Sequence, residues 1–150
     1  MERRDIVPAL ALGIGLAGTL DEVVLHQLLH WHHFYDKSTP AWGLISDGLF
    51  HAASTALLVW GTYALVRGRA RVAAREALGW ILVGLGAFNL YDGTIQHKVL
   101  RLHQVRPGAS PQWAYDLGFL SVATVITVSG VLLTLAARRR ARPSPSRGDD

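Results

Sequence analysis

The chain has no cysteine and one methionine, its first residue. Disulfides, thiolate clusters and thioether copper sites are excluded, so any bound metal must be held by nitrogen and oxygen. Nucleotide, acyl-transfer and zinc-protease signatures are missing too: there is no P-loop, no GxSxG and no HExxH. In HExxH the glutamate adjoins the first ligand, whereas here Glu22 stands a helical turn before His26. Acidic residues are few, eleven against fifteen Lys and Arg. The resulting pI near 10.0 suggests nucleic acid only until the charges are placed along the chain.

What is present in quantity is apolar. Half of the 150 residues are hydrophobic and 15 are glycine, a composition for close helix packing in a bilayer within one domain. Four apolar segments run from Ile6 to Leu29, Leu44 to Val66, Ala77 to Leu100 and Leu117 to Ala137, each near the roughly 20 residues that span a membrane. They must be helices, because an open strand cannot satisfy its backbone in lipid. The expectation is all-α: a four-transmembrane-helix bundle over residues 1–137, followed by a disordered basic, Pro/Ser-rich tail over 138–150. Arg3, Arg4, Arg67, Arg69, Arg71, Arg75, Arg138, Arg139, Arg140, Arg142 and Arg147 lie at the termini and in the middle loop. The positive-inside rule puts those regions in the cytoplasm and the loops Asp36–Trp42 and Arg106–Trp113 outside a bacterial inner membrane. Basicity is then a topology signal with a minor contribution from anionic lipid, and nucleic acid has no support. A cleaved signal peptide is rejected because the first segment continues into a histidine-rich stretch and shares a repeat with the third.

That repeat has a constant offset of 71 residues, the distance from Asp21 to Asp92. Gly13 falls on Gly84, Gly15 on Gly86, His26 on His97, Leu29 on Leu100, His32 on His103, Pro40 on Pro111 and Trp42 on Trp113. After a two-residue slip, Asp47 falls on Asp116. The shared D-x4-H-x2-L-x2-H spacing identifies two tandem helical hairpins, about 6–66 and 77–137, of the same orientation and related by a pseudo-two-fold axis along the membrane normal.

All seven histidines lie towards the outer side in this topology, with acids from every helix. Helical spacing puts Glu22, His26, His30 and His33 on one face of the first helix and Asp47 with His51 on the second. On the third, Asn89, Asp92, Gln96 and His103 share a face roughly, and Asp116 adds a carboxylate from the fourth. Facing carboxylate and imidazole groups are how helix bundles build metal sites, for one or two ions of Fe, Zn, Mn or Cu(II). The expected ligands are Glu22, His26, His30, His51, Asp92 and His97. Asp21, His33, Asp47, Asn89, Gln96, Arg101, His103 and Asp116 are expected to support them or serve structure. His32, His33 and His103, each taken singly, read as interfacial. Asp47 and Asp116 read equally as helix N-caps. Trp31, Trp42 and Trp113 form an outer aromatic belt. The repeat puts Gly93 for Glu22, Arg101 for His30, Gln104 for His33 and Leu120 for His51, so a site dominated by the first hairpin is expected over a symmetric dimetal one.

The stretches "GTLDEVVLHQLLHWHHF", "SDGLFH" and "FNLYDGTIQHKVLRLHQ", from about Gly13 to Asp116, resemble the bacterial predicted membrane proteins grouped as domain of unknown function 2243. The resemblance implies no established activity, and points only faintly to a respiratory-chain or oxidase-assembly partner. The leading functional expectation is a metal-binding integral membrane protein, with metal-dependent oxidoreduction as its activity if it is an enzyme. A metal-handling protein without turnover, a b-type cytochrome and a proton-linked protein are the alternatives, with haem disfavoured by the crowd of carboxylates. Lipid is the expected partner, with self-association open.

Overall fold

A computed structural model describes residues 3–68 and 74–141, with side chains from Ile6 onward. Among the described residues the regular structure is all helical, without strands. Helix α1 (Arg3–Asp21) continues as a π-helical segment, Glu22–Leu28; α2 is Pro40–Arg67; α3 (Ala74–Tyr91) continues as a second π-helical segment, Asp92–Val99; and α4 is Gln112–Arg140. Arg69, Arg71, Arg142, Arg147 and the tail from residue 142 lie outside the described residues, and α4 carries Arg138, Arg139 and Arg140 inside its last turn.

Among the described residues, three stretches are long and apolar enough to cross a membrane: Ile6–Leu28, Pro40–Arg67 and Gln112–Arg140. The α3 stretch is not among them, since Arg75 and Glu76 occupy its first turn and Asn89 its last. Near that end Glu76 accepts from Arg138 of α4 at 2.8 Å.

Helix α2 starts earlier than its apolar run. Thr39 caps it by accepting from the Trp42 amide at 3.4 Å, and Pro40 supplies a first residue already fixed for a helix. Asp47 is therefore inside α2 and Asp116 inside α4, which corrects the N-cap alternative for both.

The helices pack in the order α2, α1, α3, α4, with α1 and α3 central. The central pair meets where side chains vanish. A Cβ on Gly13 would stand 2.0 Å from the Ile81 carbonyl oxygen, and one on Gly84 would stand 2.3 Å from the Leu10 carbonyl oxygen. Ile81 is the repeat counterpart of Leu10, so the two contacts are reciprocal, as a two-fold axis between the halves requires. The flanking contacts repeat as well: Gly61 lies against Pro8 and Leu12, and Gly130 against their counterparts Gly79 and Val83.

Candidate metal centre

Both central helices change pitch at their last turn. In a π-helix the hydrogen bond runs from i to i+5, so residues five apart come to lie over one another. His26 Nε2 thereby approaches Asp21 at 3.4 Å, His97 Nε2 approaches Asp92 at 3.0 Å, and Gln27 donates to Glu22 at 2.8 Å. Each segment ends alike. The Leu29 and Leu100 amides donate to Val24 and Ile95, and those of Trp31 and Leu102 donate to Leu25 and Gln96. Between them His30 (φ 50°) and Arg101 (φ 52°) take the left-handed conformation that few non-glycine residues adopt. This reversal carries His32 and His103 back over the helix ends.

There the halves hold each other. His32 Nδ1 donates to the Val105 carbonyl at 3.0 Å, and His103 Nδ1 donates to the Phe34 carbonyl at 2.9 Å. Val105 is the counterpart of Phe34 at the same offset of 71, so these bonds too are exchanged about the axis. A carbonyl only accepts, so each ring carries its proton on Nδ1 and turns the Nε2 lone pair inward. The His32 and His103 rings stack with centroids 4.6 Å apart, flanked by His26 at 4.7 Å from His32 and His97 at 4.5 Å from His103. Two buried groups result, Asp21–His26–His32 and Asp92–His97–His103, with ligand atoms within 4.8 Å of one another in each. The Nε2 atoms of all four histidines are buried without a hydrogen-bond partner among the described residues.

The symmetry stops at His26. Its Nδ1 lies 2.7 Å from Glu22 and 3.2 Å from Asp47, and Glu22, His26 and Asp47 form a third buried group of ligand type. Asp47 also accepts from His33 Nδ1 at 2.6 Å and from the Phe34 amide at 2.7 Å, tying the loop to α2. In the second half Gly93 replaces Glu22, and Asp116 is paired with Lys98 instead. Burial pushes the His32 pKa down to about 3, helped by its neighbours His103 and His26. Burial opposes charge on His103 as well, but the Asp92 carboxylate outweighs it and raises that pKa above the ordinary value.

Of the six expected ligands, Glu22, His26, Asp92 and His97 lie in this buried layer. His30 and His51 are not brought to it; both are exposed. His30 sits on the left-handed turn. On α2 the buried stripe is Gly43, Asp47, Ser54 and Gly61, so narrow that His51, offset around the helix, falls outside it. Among the supporting residues, Gln96 donates to Asp92 at 2.8 Å and Asn89 to the Leu85 carbonyl at 2.8 Å, while Arg101 occupies the exposed turn. Asp21 stands inside the triads, and so do His103 and His32, for which the sequence taken residue by residue favours an interfacial place. The signal for His32 was in the sequence: it belongs to the repeated D-x4-H-x2-L-x2-H pattern.

The chain belongs to the family of predicted membrane proteins described as DUF2243, whose profile matches residues 8–137. Neither a curated protein nor a solved structure matches it.

Proposed function

For this member of the DUF2243 membrane family, we propose a paired metal centre: one ion held by Asp21, His26 and His32, a second by Asp92, His97 and His103. The observation that carries the reading is the set of four buried imidazole Nε2 atoms that lack hydrogen-bond partners and converge on two carboxylates. Three of them stand 3.0–3.6 Å from a carboxylate oxygen without a well-formed hydrogen bond, and His32 Nε2 has no such neighbour, so a cation between imidazole and carboxylate would satisfy both kinds of group. Neutral imidazole nitrogen and carboxylate oxygen without sulfur suit Fe, Zn, Mn or Cu(II). Two histidines and one carboxylate leave coordination positions open, so an ion held there supplies Lewis-acid or redox chemistry.

The chain's own residues do the orienting. Val105 and Phe34 fix the tautomers of His32 and His103 through their carbonyls. Glu22 accepts from His26 Nδ1, with Asp47 3.2 Å from the same nitrogen, as carboxylates behind a ligating imidazole do, and together they make it the more basic ligand. We assign Glu22 to that supporting role because its two carboxylate oxygens face His26 Nδ1 and Gln27 Nε2. A polar cavity of about 540 Å³, bordered by His30, Asp36, Lys37, Arg101 and Gln104, has His32 and His103 in its wall and is the side from which ions would enter from water.

In this reading the four helices all cross the membrane as two tandem hairpins of the same orientation, with both termini in the cytoplasm and the centre near the outer face. The activity is metal-dependent oxidoreduction. The polar cavity also favours a second reading, in which ions exchange through it and the protein carries metal without turnover. Haem fits poorly, because imidazoles in ring-to-ring contact at 4.5–4.7 Å leave no gap for a porphyrin.

The test is elemental analysis of detergent-purified protein, wild type beside Asp21→Ala and Asp92→Ala. Two ions per chain, with one lost in each variant, is the expected result. A folded wild type that neither retains nor takes up Fe, Zn, Mn or Cu would end the proposal.

A further inference from the structure

Beside Asp21, between α1, α3 and α4, lies a cavity of about 600 Å³ with an almost wholly apolar wall. Its polar residues are few: the carboxylate of Asp21, Asn89, and the polar edges of Trp31 and Tyr115. Its rim includes Leu20, Val24 and Val122, all exposed. An apolar rim on the perimeter of a membrane protein opens towards hydrocarbon, not water.

The repeat supplies an internal control. A second cavity lies between α1, α2 and α3, and each residue lining it has its counterpart in the wall of the first, at the offset of 71 for α1, α3 and the loops and of 69 for α2 and α4. Yet its volume is only about 260 Å³. The decisive differences are Phe88 in place of Ala17 and Phe34 in place of Val105. Both rings stack on Phe50, with centroids 6.0 and 4.8 Å away, and fill the space. One cavity of a duplicated pair has been plugged by aromatic side chains, and the other, next to the better-supported triad, stays open.

We infer that the open cavity binds an uncharged, membrane-dissolved phenol with an apolar tail, its ring against Trp31, Tyr115 and Phe119 and its hydroxyl donating to Asp21. The wall excludes ions, which would lose hydration against hydrocarbon. A plain acyl chain would offer the carboxylate no donor. A phenol brings a donor without a charge, and its ring suits aromatic neighbours in edge or offset packing. The inference goes beyond the metal centre and stands without it.

The experiment is native mass spectrometry of the full chain in detergent, titrated with 4-nonylphenol and, separately, with nonylbenzene. Wild type is expected to bind one nonylphenol, about tenfold more tightly than nonylbenzene, as one buried hydrogen bond provides. Ala17→Phe, which copies the plug of the second half, is expected to weaken nonylphenol binding at least tenfold while metal content stays as in wild type; Val105→Phe, at the residue whose carbonyl holds His32, is expected to weaken nonylphenol binding likewise and is read for that binding alone. Equal binding of the two probes to wild type would overturn the phenol and assign the cavity to an acyl chain. Unchanged nonylphenol binding in both variants, folded by thermal melting, would overturn the site. A wild type without metal that still discriminates the two probes would support the cavity and end only the metal reading.

Discussion

His32 and His103 stack with 4.6 Å between ring centroids and 13° between ring planes, and each is held by the backbone of the other's half of the chain. Each imidazole is brought in by its own turn and fixed in rotation by the other half's carbonyl. The pair sits where the two triads meet, so a disturbance of one loop reaches both groups of ligands.

The carboxylates behind His26 distinguish the two triads. Glu22→Gln and Asp47→Asn are expected to weaken metal at the Asp21 triad about 10–100-fold, the usual effect of losing a partner behind a ligand, with little change at the Asp92 triad. Competition against a chromogenic chelator measures both affinities. Complete loss of one ion in Glu22→Gln would promote Glu22 from support to ligand.

Exposure sets His30 and His51 apart from the other histidines of the first hairpin. His30→Ala and His51→Ala should keep the full metal content of wild type on elemental analysis. Stoichiometric loss in either would return that residue to the ligand set.

The helix crossing gives a stability prediction with its own control. Gly13→Ala and Gly84→Ala drive a Cβ into a facing carbonyl and should each destabilise by about 1–3 kcal/mol or more, and by similar amounts because the contacts are reciprocal. Gly48 has open space at its Cβ position, so Gly48→Ala should be neutral or stabilising by up to about 1 kcal/mol. Thermal melts in one detergent rank the three.

Absence of cysteine makes the topology directly measurable, since any introduced thiol is the chain's only one. Ser38→Cys should react with a membrane-impermeant maleimide in intact cells, and Ser144→Cys only after permeabilisation. Labelling of Ser144→Cys in intact cells would invert the orientation or change the number of crossings.

The helices and the 71-residue offset were legible, the first because they rest on apolar runs and the second because matched Asp, His and Gly positions survive divergence. The offset even locates the Gly13 and Gly84 crossing. What periodicity could not show was the change of pitch after Asp21 and Asp92. Counting at 3.6 residues per turn puts Asp21 far around the helix from His26 and favours Glu22; a π-helical turn keeps Glu22 beside Nδ1 and also brings Asp21, five residues away, to Nε2. His30 fails for the related reason that the helix ends before it, in a left-handed turn that no residue type there announces. His32 needed a partner from the far loop, and Asp47 needed the cap at Thr39, neither of which is written in local spacing.

The exchange of His32 and His103 across the axis bears on how such a protein could arise. Two separate copies of an ancestral single hairpin, associating about a two-fold axis, would form the same crossed bonds and the same pair of triads, so the centre is assembled as a dimer interface would be. Fusing the copies into one chain frees them to diverge, and the marks of divergence here are Glu22 against Gly93 and Ala17 against Phe88. Each half still lends the other a backbone carbonyl, and the partnership outlives the resemblance.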